Sequence, residues 1–209
     1  MKFKDRIEAA NLLAEKLATY KNKNAIILAI PRGGVPMGNV VANQLKLPLE
    51  VVLSKKIGHP LHKEFAIGAV TLGSRVLSDS ASQVSDGYIE KETKEIRALL
   101  SERYQDYYGK KAPLKLNDKI LIIVDDGIAT GNTIMSTIEM LHAEQPEKII
   151  VAIPVSPKST LQKLQDSLYI DEVICLSAPA NFMSVGQFYE DFEQVDDAEV
   201  KAILKSRMS

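Results

Sequence analysis

The chain has 209 residues, of which 45% are hydrophobic and 25% are charged. This length supplies one ordinary hydrophobic core and is too short for two full domains, so we expect one domain with an appendage. Its 26 Lys and Arg residues nearly balance 27 Asp and Glu residues, which argues against a general positive field for nucleic acid or an anionic membrane.

Cysteine usage and hydropathy narrow the class of protein further. Cys175 is the single cysteine, so an internal disulfide framework is excluded. We find neither a signal-peptide pattern at the N-terminus nor an apolar run long enough to cross a membrane. We therefore expect a cytoplasmic protein without a membrane partner, in which any anion-binding site is local.

Short apolar runs alternate with amphipathic segments along the chain. Helical spacing predicts an opening helix over residues 4–21 and a charged helix over 85–108. Further helices are predicted to begin near Pro36 and to cover 132–143, 158–167 and the C-terminal stretch DDAEVKAILKS. Strands are predicted at 25–30, 49–54, 66–73, 119–124, 148–155 and 172–176. Residues 54–65, SKKIGHPLHKEF, are interpreted as a polar loop because Gly58 and Pro60 interrupt any regular pattern.

This order of elements predicts an α/β fold with an open, mostly parallel sheet flanked by helices. The strands are too few to close a barrel. A core of about residues 22–176 is followed by residues 177–209, which break the alternation. We predict that the whole chain, 1–209, forms one domain.

The stretch LIIVDDGIATGNT (121–133) places two aspartates directly after a buried strand. Open α/β sheets bind ligands outside the carboxyl ends of their strands. In this loop Gly127 and Gly131 permit close backbone approach, and the N–H groups from Ala129 to Thr133 run into a helix N-terminus that favours an anion. The loop therefore has the features of a phosphate site.

The acidic pair constrains what else the ligand carries. A phosphate alone would be repelled by Asp125 and Asp126, so the ligand must also offer hydroxyl donors or a cation. Vicinal sugar hydroxyls and a Mg²⁺ ion held mostly by substrate phosphates and water meet this demand. A ribose phosphate satisfies both conditions. The structural alternative is an ordinary Asp-Gly turn with Thr130 or Asn132 as helix cap.

VDDGIATGNT resembles the phosphoribosyl pyrophosphate motif of type I phosphoribosyltransferases. LAIPRGGVPMGNVVANQL, LSKKIGHPLHKEFAIGAV and VGQFYEDFEQVDDAEVKAIL resemble a branch of that family known as predicted phosphoribosyltransferases, so the likeness covers nearly the whole chain. The resemblance implies a 3-2-1-4-5 strand order. It also implies a small hood built from residues 177–209, to which residues 1–21 could contribute.

The resemblance assigns roles to the loop residues. Asp125 and Asp126 are expected to hold the 3′ and 2′ hydroxyls of the ribose. The backbone N–H groups of Ala129 to Thr133, together with the Thr130 and Thr133 hydroxyls, are expected to hold the 5′-phosphate. The substrate-binding residues expected after the acidic pair are Gly127, Ala129, Thr130, Gly131, Asn132 and Thr133. Arg32, Gly33 and Gly34 match the pyrophosphate loop, where a strained or cis peptide is often found. A plain strand-to-helix turn is the alternative for PRGG.

Two lysines follow the second strand, where the branch more typically has Arg-Lys. Lys55 and Lys56 are expected to contact the diphosphate, with Lys56 and the acidic pair acting in catalysis. Lys in place of Arg keeps the charge and gives up bidentate geometry. The following loop corresponds to the lid of this fold, and its residues His59 and His62 are interpreted as solvated.

The activity implied is transfer of the phosphoribosyl group to a nitrogen acceptor, of which a nucleobase is one kind, with release of pyrophosphate. Relatives that act on 6-oxopurines carry an Asp at the position of Ala129 and a Lys in the hood. This chain has neither, which disfavours 6-oxopurines. Phe182, Val185, Phe188 and Tyr189 are either a wall for a flat acceptor ring or the core of the hood.

Two further hypotheses concern regulation and assembly. A non-catalytic regulator that binds phosphoribosyl pyrophosphate is the rival to the enzyme, and a partner domain for another enzyme is a third alternative. The neutral charge argues against nucleic acid as a partner. The resemblance also predicts a homodimer, with the apolar side of the helix at 85–108 as candidate contact surface.

Overall fold

A computed structural model gives the coordinates, and the structure describes residues 2–207 with the exception of the Thr133 side chain. Residues 1, 208 and 209 of the predicted domain lie outside the described residues. The strands are β1 (Ala25–Ala29), β2 (Leu49–Val51), β3 (Ser54–Gly58), β4 (Ala66–Thr71), β5 (Arg75–Leu77), β6 (Ile120–Val124), β7 (Lys148–Val155) and β8 (Glu172–Ser177). The α-helices are α1 (Arg6–Lys16), α2 (Gly34–Leu45), α3 (Asp86–Tyr108), α4 (Asn132–His142), α5 (Lys158–Gln165) and α6 (Asp197–Ser206).

The central sheet has five strands in the order β2-β1-β6-β7-β8, and every neighbouring pair is parallel. All residues of β1 and β6 are buried, as expected for strands covered on both faces. Alternate residues enter two separate cores, so Ile27 and Ile122 pack on one face while Ile26 and Leu121 pack on the other. The predicted α/β class with an open parallel sheet is confirmed.

Two predictions about this part of the chain are wrong. Residues 54–65 are not a loop throughout, and the third predicted strand does not lie in the central sheet. Residues 54–58 form β3, which pairs antiparallel with β4, and β4 pairs antiparallel with β5 in a separate three-stranded sheet. The third predicted strand is therefore absent from the central sheet, whose edge is β2. The short segment between β3 and β4 cannot make a parallel crossover, which needs about a dozen residues or more. Gly58 closes β3, where an added Cβ would overlap the Lys63 carbonyl oxygen.

The N-terminus is built into the C-terminal part of the chain. Asp5 caps α1 by accepting a hydrogen bond from the Glu8 N–H (2.8 Å). Phe3 is fully buried, its N–H donates to the Phe188 carbonyl (2.7 Å), and its own carbonyl accepts from the Glu190 N–H (2.8 Å). Residues 2–5 thus run as an extra strand-like segment along the predicted hood.

Helix α3 uses its apolar side inside the protein. Ile89, Ile96, Leu100 and Tyr104 are buried, whereas Leu99 is 48% exposed. Helix α3 packs against β3, β4 and α6, so the apolar side named as a dimer surface is occupied within the chain. Among the helices of residues 2–207, none is long and apolar enough to cross a membrane.

Candidate functional site

The acidic pair lies where β6 ends, in the middle of the central sheet. Asp125 and Asp126 follow Val124, and the turn after β1 lies against them. A Cβ added to Gly33 would overlap the Asp126 carboxylate, and one added to Gly34 would come within 2.6 Å of the Val124 carbonyl oxygen. The structure therefore brings the two predicted loops into direct contact, and only glycine fits at either position.

The turn after β1 has a tight backbone geometry. The peptide bond between Pro31 and Arg32 is cis. The Gly34 N–H donates to the Ile30 carbonyl (3.0 Å), so this amide is already used within the turn. Helix α2 begins at Gly34, which places its N-terminus beside the acidic pair.

The second loop leads from the acidic pair into α4. Gly131 has φ +78°, in the left-handed region that glycine adopts without strain, and α4 begins at the next residue. Ala129, Thr130 and Asn132 are exposed. The first N–H groups of an α-helix have no intrahelical acceptor, so they are available to an anion. The side chain of Thr133, a predicted phosphate contact, lies outside the described residues.

Two residues from other elements hold this loop in place. Thr160 of α5 donates from its hydroxyl to the Ala129 carbonyl (2.7 Å). Val185 packs over the loop so closely that a Cβ added to Gly127 would lie 2.6 Å from the Val185 Cγ1. The predicted loop is therefore fixed by α5 and covered by the part of the chain that follows β8, called here the C-terminal segment.

A cation from the N-terminal helix contacts the acidic pair. Arg6 donates from Nε (3.0 Å) and Nη2 (2.8 Å) to the same oxygen, Oδ2 of Asp126. The two side chains are only 12% and 15% exposed. Nη1 of Arg6 donates to the Glu193 carbonyl (2.7 Å), and its guanidinium lies 3.9 Å from the centroid of the Phe192 ring.

Burial dominates the electrostatics of the pair. It raises the pKa of Asp125 well above its usual range, and the neighbouring Asp126 charge raises it further. Burial also raises the pKa of Asp126, while the hydrogen bonds and charge of Arg6 act in the opposite direction. Burial and the Asp126 charge raise the pKa of Tyr189. Tyr189 is thus a neutral donor near neutral pH.

The aromatic residues of the C-terminal segment divide into two groups. The Tyr189 ring is buried between Phe3 (5.5 Å between centroids) and Phe192 (4.8 Å), and its hydroxyl donates to the Asp126 carbonyl (2.6 Å). This position favours the hood-core alternative for Tyr189. Phe182 is partly buried and packs on Phe188 at 5.3 Å, so part of its surface is accessible.

The predicted diphosphate contacts are not assembled around one point. Arg32 lies 3.8 Å from the carboxylate of Asp197 at the start of α6. Lys55 and Lys56 are exposed neighbours on β3, so their side chains point to opposite faces of the small sheet. Lys56 shares its face with Ser54, whose hydroxyl lies 3.1 Å from the Thr137 hydroxyl of α4. Lys56 is therefore on the α4 side and Lys55 on the opposite side.

Sequence reasoning missed three contributors to the site: Arg6, Thr160 and the hydroxyl role of Tyr189. Each contacts the acidic pair or its loop from a distant part of the chain, Arg6 across 120 positions. No spacing or motif links these residues to the loop. In the sequence, Arg6 looks like any other charged residue on the polar face of an amphipathic helix.

The carboxylates of Asp125 and Asp126 also determine how the site could hold a metal ion. Within residues 2–207, no group of three or more His, Cys, Asp or Glu side chains is arranged to hold a metal ion. Two adjacent carboxylates next to an anion site suit a Mg²⁺ ion that arrives with phosphate ligands and water. The donor set fits magnesium as part of a substrate complex and does not form a protein-built cage.

Comparisons with known proteins bear on the class of protein. Residues 4–192 match the phosphoribosyl transferase domain family. Two curated proteins from Mycobacterium tuberculosis strains, "Putative phosphoribosyl transferase MT0597" and "Putative phosphoribosyl transferase Rv0571c", are each 35% identical over 206 residues. That alignment covers 97% of this chain and 46% of each relative. The crystal structure of TT1426 from Thermus thermophilus superposes with a TM-score of 0.83 at 37% identity, covering 99% of both chains.

The chain belongs to the phosphoribosyl transferase domain family. The loops at the carboxyl ends of β1 and β6 belong to two of the sequence stretches that resemble this family. The chain spans about half the length of the curated relatives it matches.

Proposed function

We propose that this protein is a phosphoribosyltransferase that binds 5-phosphoribosyl 1-pyrophosphate and transfers its phosphoribosyl group to a nitrogen acceptor. The observation that carries the proposal is the contact between the two loops. Gly33 and Gly34 lie against Asp125 and Asp126, and the same acidic pair leads into the N-terminus of α4. Groups suited to diphosphate, ribose hydroxyls and 5′-phosphate thereby lie side by side.

The substrate is held by three kinds of group. Carboxylate oxygens of Asp125 and Asp126 accept hydrogen bonds from the ribose hydroxyls. The 5′-phosphate sits on the N–H groups at the start of α4, where the helix dipole favours negative charge. Arg32 and Lys56 supply positive charge for the diphosphate once Arg32 leaves its long, half-exposed contact with Asp197.

Magnesium enters this scheme with the substrate. A bound Mg²⁺ ion would be held mainly by the substrate phosphates and by water, close to the carboxylates of Asp125 and Asp126. When bound it neutralises part of the charge on the departing pyrophosphate. The chain contributes the negative carboxylates nearby and the cradle that fixes the sugar.

The reaction exchanges one bond at the anomeric carbon of the ribose. The C–O bond to pyrophosphate breaks with its electron pair on the leaving oxygen, and a nitrogen lone pair of the acceptor forms the new C–N bond. The acceptor nitrogen then loses its proton to solvent or to the pyrophosphate. The transition state has oxocarbenium character, so positioning, charge on the leaving group and exclusion of water supply the catalysis.

The acceptor is proposed to be a nitrogen compound other than a 6-oxopurine. Ala129 is exposed in the loop and offers no carboxylate to a base. Residues 177–190 contain no lysine, so this segment has no ammonium group for an oxo substituent. The accessible part of Phe182 is the remaining candidate for a wall against a flat ring.

The decisive experiment combines binding with turnover. Phosphoribosyl pyrophosphate with Mg²⁺ is titrated into the protein by calorimetry, and pyrophosphate release is then measured with a panel of bases and small amines. Binding together with release by at least one acceptor supports the enzyme. Binding without release by any acceptor favours a regulatory ligand-binding protein, and absence of binding overturns the proposal.

A paired substitution tests the assignment of the loop. Asp125→Asn with Asp126→Asn removes two charge-assisted acceptors, each worth roughly 1.5–3 kcal/mol, so Kd should rise at least about 100-fold. Asp191→Asn, at an exposed position, is the control and should bind normally. Unchanged affinity in a folded double variant would show that the ribose lies elsewhere.

Assembly belongs to the same proposal. We keep the homodimer as an expectation from the family and withdraw the apolar side of α3 as its surface, because that side is buried within the chain. Light scattering at high protein concentration measures the mass, and a strictly monomeric value would remove the dimer.

A further inference from the structure

Arg6 contacts the acidic pair in a way that decides which oxygens remain for a ligand. Both of its donors to Asp126 end on Oδ2. Oδ1 of Asp125 accepts the backbone N–H of Asp126 (2.9 Å). Within the described residues, the hydrogen bonds leave Asp126 Oδ1 and Asp125 Oδ2 without a protein partner. One acceptor is thus kept on each carboxylate.

The same guanidinium also attaches the C-terminal segment to the site. It donates to the Glu193 carbonyl and stacks on Phe192, while Tyr189 donates to the carbonyl of Asp126. A planar fork with five donors can satisfy a carboxylate and a carbonyl at once, which a lysine ammonium does less specifically. Arg6 therefore fixes the position of Asp126 relative to the segment that covers the loop.

We propose that Arg6 is the positioning residue of the sugar site: it fixes Asp126 through Oδ2 so that Asp126 Oδ1 and Asp125 Oδ2 receive the two vicinal hydroxyls of the ribose. This inference rests on the proposed function and adds a residue from α1 to it. Arg6 acts through Asp126 and does not contact the reacting atoms.

Electrostatics supply the reason for a cation at this place. Burial raises the pKa of both carboxyl groups, and the Asp126 charge raises the pKa of Asp125 further, so both groups resist ionisation. Among the described residues, the charged or titratable side chains that face Asp126 are Arg6 from α1, Asp125 of the same loop and Tyr189 from the C-terminal segment. Of these three, only Arg6 is a cation. Its removal should therefore shift ionisation of the pair to higher pH.

The test compares two sugar phosphates that differ by one hydroxyl. Ribose 5-phosphate and 2-deoxyribose 5-phosphate are titrated into the parent protein, Arg6→Met and Arg6→Lys. In the parent, loss of the 2-hydroxyl should weaken binding about 10-fold or more, as expected for a charge-assisted hydrogen bond. In Arg6→Met the two ligands should differ by less than about 3-fold, well below the parent ratio. A purely structural role for Arg6 would weaken both ligands equally and leave this ratio unchanged, which would overturn the proposal.

The pH profile is a second readout of the same role. Binding of ribose 5-phosphate should weaken on the acid side as the carboxylates take up protons. The midpoint of that loss should move to higher pH in Arg6→Met and stay near the parent value in Arg6→Lys, which keeps the charge. An acid limb that does not move in Arg6→Met would contradict the inference.

Controls separate this inference from the proposed function. Arg75→Met removes a comparable arginine and should behave like the parent. Arg75 lies on the small sheet and pairs with Glu90 and Thr93 of α3. If the parent binds neither sugar phosphate nor phosphoribosyl pyrophosphate, the proposed function fails. If the parent binds and discriminates but the Arg6 variants discriminate equally well, only the role of Arg6 fails. Should Arg6→Met not fold, Arg6→Lys carries the comparison, because a single ammonium cannot place two N–H groups on Oδ2 in the same planar geometry and discrimination should drop at least about 3-fold.

Discussion

At the scale of single residues, the site contains carboxyl groups whose charge is unfavourable in their buried position and lowers the stability of the folded state. Asp125 is a buried carboxyl beside a second carboxyl, and burial raises its pKa above the value of an unfolded chain. A group of this kind stabilises the folded state below its unfolded pKa of about 3.9 and loses that contribution as pH rises through the folded pKa. The charge that a ribose requires is therefore held at a cost in stability.

This cost gives a stability prediction with a defined sign. Asp125→Asn removes the buried charge while Asn Oδ1 can still accept from the Asp126 N–H, so its Tm at pH 8 should exceed that of the parent. About 1 kcal/mol corresponds to roughly 2–4 °C for a chain of this size. The difference should shrink as pH falls from 8 toward about 4, because the parent carboxyl takes up its proton within that range. Thermal unfolding followed by circular dichroism at both pH values measures it.

Asp126→Asn is the contrasting variant. It leaves the Arg6 guanidinium, whose side chain is 12% exposed, without its anionic partner. Breaking a buried pair on one side is destabilising, so this variant should melt below the parent at pH 8. Equal gains in Tm for the two variants would mean that the Arg6 contact contributes nothing to stability.

The two lysines of β3 allow a controlled test of catalysis, with Lys55 as the control for Lys56. Strand alternation puts Lys56 on the face that carries the Ser54–Thr137 contact with α4 and Lys55 on the other face. Only interactions that strengthen in the transition state raise the rate, so Lys56→Ala should lower kcat at least about 10-fold more than it raises the Kd of phosphoribosyl pyrophosphate. Lys55→Ala should change kcat little. Equal losses of affinity and turnover in Lys56→Ala would favour a ligand-binding protein over an enzyme.

At the scale of elements, α5 supports a loop that belongs to α4. The Thr160 hydroxyl donates to the Ala129 carbonyl. A Cβ added to Gly131 would lie 2.9 Å from the methyl group of Thr160. The hydroxyl thus fixes the backbone direction of the predicted phosphate loop. Nothing in the local sequence of α5 indicates this task.

Thr160→Val keeps the shape and removes the hydrogen bond. A net loss of about 0.5–1.5 kcal/mol is expected, and because the loop becomes less ordered, affinity for ribose 5-phosphate should fall roughly 3- to 10-fold. Thr160→Ser retains the hydroxyl and serves as control. Calorimetry with both variants measures the effect, and normal binding by Thr160→Val would show that the loop is rigid without α5.

A second element-scale feature is the buried carboxylate of β2. Glu50 is 4% exposed and accepts from the Tyr104 hydroxyl (3.1 Å) and the Leu114 N–H (3.2 Å). Burial raises the pKa of Tyr104, which keeps that hydroxyl a donor. A cavity of about 120 Å³ lies beside it, lined by β2, by Leu72 and Gly73 after β4, and by the segment before β6. Because Glu50 is already hydrogen-bonded to its neighbours, it ties α3 and the segment before β6 to the sheet edge.

At the scale of the whole molecule, the two ends of the chain close the site together. The segment around Phe3 pairs with residues 188–190, and Arg6 joins the same region to the acidic pair. The predicted hood and core should therefore unfold together rather than as separate units.

Phe3→Ala tests this coupling. Truncation of a fully buried Phe costs about 3–5 kcal/mol, a large share of a typical total of about 5–15 kcal/mol. Urea unfolding should show a lower midpoint with one transition and an unchanged slope. Phe65→Ala, at a position 55% exposed, should stay within about 0.5 kcal/mol of the parent. Two separate transitions would contradict a single cooperative unit.

The amino-acid sequence by itself determined the strands β1, β2, β6, β7 and β8 and the acidic loop. Runs such as ILIIV are buried on both faces and indicate parallel strands, and the loop DDGIATGNT carries its chemistry in consecutive residues. Only the tertiary structure decided that residues 54–71 form an antiparallel pair, that the apolar side of α3 is internal, and that Arg6 reaches Asp126. Local patterns state which faces are apolar and which backbone shapes are allowed. Packing of the whole chain determines which distant faces meet, and it also determines which residue pairs with a buried charge.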